Sequence, residues 1–162
     1  MNRRTLLLLA GAGVTSSLAG CTGDDESDLH ESKSTLVPSA DDLADWDYDE
    51  REFGADTEPD LILAEDGQSH RIVVVYVHFF ESIQEARDFI DAEVAYYIGF
   101  TEFDLADEGH ERDFGEWHGI FFRDRNAVAF VFGSELEFLG GWIPEPELAH
   151  TFAEELYGIW QT

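Results

Sequence analysis

Apolar residues fill almost every position of the run HRIVVVYVHFF, His70 to Phe80. In an extended chain successive side chains point to opposite faces. Ile72, Val74, Tyr76 and Phe80 therefore fall on one side, and Val73, Val75, Val77 and Phe79 on the other. Both sides are apolar and rich in β-branched and aromatic residues, which predicts a strand buried on both faces. The period then changes. In SIQEARDFIDAEVAYYIG, residues Ile83, Ala86, Phe89, Ile90, Val94 and Tyr97 recur at spacings that line one side of a helix. Ser82 and Glu85 stand at capping-box spacing, and Gly99 suits the C-terminal end. A last helix is predicted in PEPELAHTFAEELYGIW. There Leu148, Phe152, Leu156, Ile159 and Trp160 make the apolar face, Pro146 fits the first turn, and the neighbouring acids suit the dipole.

Shorter signals complete the pattern. Trp46 and Tyr48 alternate with acids and predict a strand from about Trp46 to Phe53, and Leu61 to Ala64 predicts another before the turn EDGQ. A short strand is expected near Phe100 to Phe103, followed by an acidic loop. Trp117–Arg123 and Asn126–Gly133 read as a hairpin closed by RDRN, and ELEFLGGW as a further edge strand. The order β, β, β, α, β, β, β, β, α predicts an α+β fold: a mostly antiparallel sheet of about five to seven strands packed with two amphipathic helices. The His70–Phe80 strand needs cover on both faces. One helix on each face supplies it; so do both helices on one face and a loop or partner on the other. Trp117 and Phe121 share a face of the hairpin, with Trp142 nearby. Left bare, these aromatics are a candidate interaction patch; covered, they are core.

The N-terminus has a different character. Arg3 and Arg4 precede an apolar run from Leu6 to Leu18, and small residues lead to Cys21, the single cysteine. This is the layout of an export signal, too short to span a bilayer, which takes about 20 apolar residues. The paired arginines point to the twin-arginine route. LAGC, at positions 18–21, resembles the lipobox of prokaryotic lipoproteins. The resemblance implies cleavage after Gly20 and a lipid on Cys21, an anchor that needs two chains to hold stably. The chain then divides into an export signal at 1–20, a lipidated cysteine with a flexible acidic spacer at 21–35, and a single globular domain at 36–162.

Charge sets the habitat. The formal net charge is −27, with acids dispersed through the chain and Lys33 the sole lysine. Such self-repulsion strains a compact fold in dilute buffer, but at molar salt the screening length shrinks to about 3 Å. The surface resembles those of halophilic proteins, and with the signal it resembles an exported haloarchaeal lipoprotein, held at the outer face of the cytoplasmic membrane. No basic patch is present to neutralise phosphates, which excludes nucleic acid as an expected partner. The partners expected are the membrane, through the lipid, and a protein at the cell surface.

Chemistry-bearing motifs are few. No nucleophile elbow, phosphate loop or His-Glu-x-x-His occurs. DLADEGHERD gathers Asp104, Asp107, Glu108, His110, Glu111 and Asp113. Carboxylates of this density hold Ca²⁺ or Mg²⁺, and a histidine adds an affinity for Zn²⁺ or Mn²⁺. In so acidic a chain the same run reads first as a solvated loop with no cofactor; Asp104, Asp107, Glu108 and His110 are the residues that would take an ion. His70 and His78 lie about 26 Å apart along the strand and do not share a ligand. His78 reads as a core histidine, His118 as a structural hydrogen-bonding partner near Glu116, His150 as facing outward, and His30 as solvated in the spacer. The DLADW opening, the DEG loop before a hairpin and the closing amphipathic helix resemble small extracytoplasmic α/β sandwiches of the PsbP-like fold. That resemblance implies a membrane-attached accessory domain without catalysis. The expectation is thus a non-catalytic accessory or interaction domain. The alternative is a lipoprotein that binds a small ligand or divalent metal through Asp104–Asp113, with a small hydrolase third.

Overall fold

The computed structural model describes residues 29–39, 41–43, 46–48, 59–65 and 68–162. Arg3, Arg4 and Cys21 lie outside the described residues, as do residues 49–53 of the first expected strand. Strands β1 (Trp46–Tyr48), β2 (Leu61–Glu65) and β3 (Gln68–Phe79) lead to helix α1 (Ile83–Tyr96). Then come β4 (Thr101–Glu102), β5 (Glu108–Phe114), β6 (Trp117–Asp124), β7 (Ala127–Leu136), β8 (Trp142–Pro144) and helix α2 (Pro146–Trp160). Among the described residues, eight strands join one antiparallel sheet in the order β1-β2-β3-β7-β6-β5-β4, with β8 pairing the far end of β7. The architecture is α+β as expected, with one strand beyond the expected range. The addition is β5, which occupies half of the segment read as an acidic loop.

Each face of the sheet carries one helix. On the α2 face, Val73, Val75 and Val77 of β3 meet Ile120 and Phe122 of β6 and Leu148, Phe152 and Leu156 of α2. Ala149 and Ala153 let the helix settle close to the strands. A side chain at Gly133 would put its Cβ 2.7 Å from the Glu145 carbonyl oxygen and 2.9 Å from the Ala149 backbone nitrogen. Glycine is therefore what allows β7 and the start of α2 to touch. Arg71 pins the same corner, pairing with Glu65 and, at 3.1 Å, with Glu145.

The end of the sheet at the β6–β7 turn is closed by the segment ahead of β1. His30 Nε2 lies 2.8 Å from Asp124 Oδ2, and its backbone N–H donates to Asn126 Oδ1 at 2.9 Å. Asn126 in turn donates to the carbonyls of Phe80 and His30. The expectation of a solvated His30 is corrected: its side chain is 7% exposed. Asp124 and Asn126 are buried at the hairpin end, and buried polar groups need partners. His30 supplies one to each, with Gln161 also donating to Asp124 and Phe80 also accepting from Asn126.

Helix α1 begins where its capping signal placed it. Ser82 Oγ accepts from the Glu85 N–H at 3.2 Å, and Glu85 reaches back to the Glu81 N–H at 3.1 Å. Its inward residues, Ala86 and Ile90, are fully buried.

Candidate functional site

The two faces are filled unequally. Among the described residues, the core cluster on the α1 side holds five buried side chains, against twenty on the α2 side. Helix α1 buries only Ala86 and Ile90 fully; Phe89 and Val94 pack on the sheet while staying half-buried, and so does much of the aromatic surface beneath them. The result is a groove of about 590 Å³ running along α1. Phe121, Phe130 and Phe132 contribute sheet-side walls, and Phe89, Glu93 and Tyr97 line it from the helix side. Phe121 stacks on Phe130, centroids 4.0 Å apart, and on Phe114 at 5.7 Å. Rings held by rings in this way present a preformed apolar surface.

Polar atoms enter the groove at a few points. His78 lies between the rings of Phe89 at 4.8 Å and Phe130 at 5.0 Å. Burial pulls its pKa below the ordinary histidine value, the positive charge of Lys33 adds to that, and Asp60 opposes it. Burial also pushes the Tyr76 hydroxyl up. Both effects favour neutral groups at neutral pH. Glu93 is the carboxylate among the described lining residues.

The three aromatics singled out from the sequence sit together. Phe121 is 2% exposed and belongs to the core. Trp117 is half-buried and lines the groove. Trp142 stacks against it with centroids 6.1 Å apart and planes 13° from parallel. Among the described residues, the large apolar side chains most open to solvent lie elsewhere: Tyr96 at the end of α1, Ile98 just after it, and Phe138 and Leu139 in the β7–β8 turn. Tyr76, Phe89, Phe130 and Phe132 were not legible as groove-lining, because periodicity marks a residue as inward without showing whether its cover is complete.

No protein-family model, curated protein sequence or solved structure matches this chain.

The donors of the acidic segment divide between the two faces of β5. On the α1 face, Asp107 accepts from Arg123 Nη1 at 3.1 Å and from the Arg125 N–H at 2.8 Å. Glu108 meets Arg123 Nε at 3.4 Å and His110 Nε2 at 2.9 Å. Asp104 is exposed. Asp107 and Glu108 thus share the buried guanidinium of Arg123, and His110 turns to Glu108.

On the α2 face a different set converges. Glu111 Oε2 is 3.3 Å from His118 Nε2 and 2.6 Å from His150 Nε2, and all three ligand-type atoms lie within 4.8 Å of one another. His118 Nδ1 is 2.8 Å from Asp113 Oδ1. The partners of His118 are therefore Asp113 and Glu111, not Glu116. The outward reading of His150 is also corrected: its ring stacks on Phe103 at 4.6 Å. It stands on the flank of α2 beside the buried Ala149, and the flank looks toward β5.

Proposed function

We propose that this chain is a non-catalytic binding module, tethered at the outer face of the cytoplasmic membrane by lipid on Cys21 and adapted to high salt, whose groove beneath α1 receives a small apolar ligand. The observation that carries this reading is the aromatic groove itself, floored by the buried rings of Phe121 and Phe130 and walled by Tyr76, Phe89, Phe114 and Phe132, which stay half-buried where a closed core would bury them. A ligand that buries about 200 Å² of apolar surface in all, its own and the groove's together, gains about 5 kcal/mol at 25 cal/mol per Å², which sets a sub-millimolar dissociation constant as the upper limit of affinity before the cost of association. Glu93 and the net charge of −27 disfavour an anion. A neutral molecule, or one with a cationic group near Glu93, fits best. Neutral Tyr76 and His78 offer hydrogen bonds without a charge to desolvate.

The test uses Nile red, a neutral apolar dye, titrated into the protein in molar KCl. One saturable site is expected. Phe132→Asp, at a half-buried wall position, should weaken binding at least about tenfold, the effect of roughly 1.4 kcal/mol. Phe138→Ser, at the exposed turn, should leave it unchanged. Binding that ignores Phe132→Asp, or that disappears with Phe138→Ser, places the dye on the surface and defeats the reading. The tether has its own measurement. Mass spectrometry of the Cys21 peptide should show a lipid adduct, and Cys21→Ser should move the protein from the membrane fraction to the medium. An unmodified peptide from membrane-bound protein would refute the anchor.

A further inference from the structure

We infer that Glu111, His118 and His150 form a binding site for a divalent cation of the zinc class, joining α2 to strands β5 and β6 on the face opposite the groove. The donor set selects the metal. Two imidazoles and one carboxylate suit zinc and its neighbours, whereas calcium and magnesium prefer all-oxygen shells. Around a tetrahedral zinc, with ligands near 2.0–2.1 Å, neighbouring donor atoms stand about 3.3 Å apart. His118 Nε2 and Glu111 Oε2 already do, at 3.3 Å. His150 Nε2 and Glu111 Oε2, at 2.6 Å, need to part by a fraction of an ångström. Half-buried His150 can do so by a small side-chain rotation.

Hydrogen-bond accounting points the same way. A neutral imidazole has one N–H to give. When His118 is neutral and gives that N–H to Asp113 Oδ1, 2.8 Å from Nδ1, its Nε2 lone pair faces the Glu111 carboxylate, and a cation placed between them receives a lone pair from each. A carboxylate behind a ligating histidine also fixes its tautomer and ring orientation. Phe103, stacked on His150 with planes 19° from parallel, orients the second ring. His118 is buried while Glu111 and His150 are half-buried, so the site has a rigid inner wall and an outer side open to ion entry and to water as a further ligand.

The experiment is titration of the metal-stripped protein in molar KCl, by calorimetry with Zn²⁺ and by visible absorption with Co²⁺ as a stand-in. One equivalent per chain is expected, with a Co²⁺ spectrum of low-coordinate N/O type. His150→Gln and His118→Gln should each abolish stoichiometric binding. Asp113→Asn, which acts through His118, should weaken it about 10–100-fold. His110→Ala and Asp104→Asn, away from the proposed ligands, should bind as the parent does. Because His118 is buried, far-ultraviolet circular dichroism checks that its variant folds; His150→Gln, at a half-buried helix position, keeps the test decisive if it does not. No saturable binding by the parent overturns the inference. So does binding that survives His150→Gln, or that is lost in His110→Ala instead.

Discussion

Trp160→Ala should cost the domain most of its stability. The indole is 5% exposed, lies 5.1 Å from the ring of Phe122, and meets His30 edge-on at 5.6 Å. Its Nε1–H donates to the Leu36 carbonyl at 2.8 Å, a bond buried on both sides. Truncation removes the ring from a close-packed site, a change worth roughly 3–5 kcal/mol for tryptophan or phenylalanine. It also strands the Leu36 carbonyl, which adds about 1–3 kcal/mol where water does not enter. A domain of this size holds about 5–15 kcal/mol in all, so the variant should be marginal or unfolded at ambient temperature. Trp160→Phe separates the two contributions. It keeps most of the packing, gives up the hydrogen bond, and should cost about half as much or less. Denaturant unfolding in molar KCl checks both. Equal costs for the two variants, or an alanine cost below about 2 kcal/mol, would show that Trp160 is not the fastener described.

The second large effect is expected from salt. Raising KCl from 0.1 to 2 M should raise the melting temperature by more than about 10 °C, the equivalent of roughly 3 kcal/mol for a domain of this length. Thirty-six acids face nine basic side chains, and several of those bases are already committed. Arg123 serves Asp107 and Glu108, Arg71 serves Glu65 and Glu145, and Lys33 sits 2.7 Å from Asp60 Oδ1. The remaining carboxylates repel one another over distances that a 10 Å screening length leaves unscreened and a 3 Å length largely removes. Salt also weakens the ion pairs, but exposed pairs contribute about 1 kcal/mol at most, so the repulsion governs the sign. A melting temperature that falls or stays level with added KCl would contradict this.

Most of the framework was legible because its signals are local. β3 announces itself by two apolar parities, α1 by its stripe and cap, and the β6–β7 hairpin by two apolar runs around RDRN. β5 was missed because GHERD has no apolar alternation. It flanks the two-residue β4 near the edge of the sheet, where charged side chains are normal. His30 was misread because a short polar segment looks the same in sequence whether water or a buried Asp124 receives it. The groove was half legible: Trp117 and Phe121 were marked, but their surroundings depend on how closely α1 approaches. The Glu111, His118 and His150 set was beyond reach. Its members come from three elements, and only the sheet register and the rotation of α2 bring them together.

The docking of His30 against Asp124 has a geometric corollary. The nine residue-to-residue steps from Cys21 to His30 extend to about 30 Å at most. With a diacyl group at Cys21, the body would hang on a short leash attached beside the β6–β7 turn. Such a tether would keep that pole within about 30 Å of the lipid, while the paired indoles of Trp117 and Trp142 lie at the other end of β6.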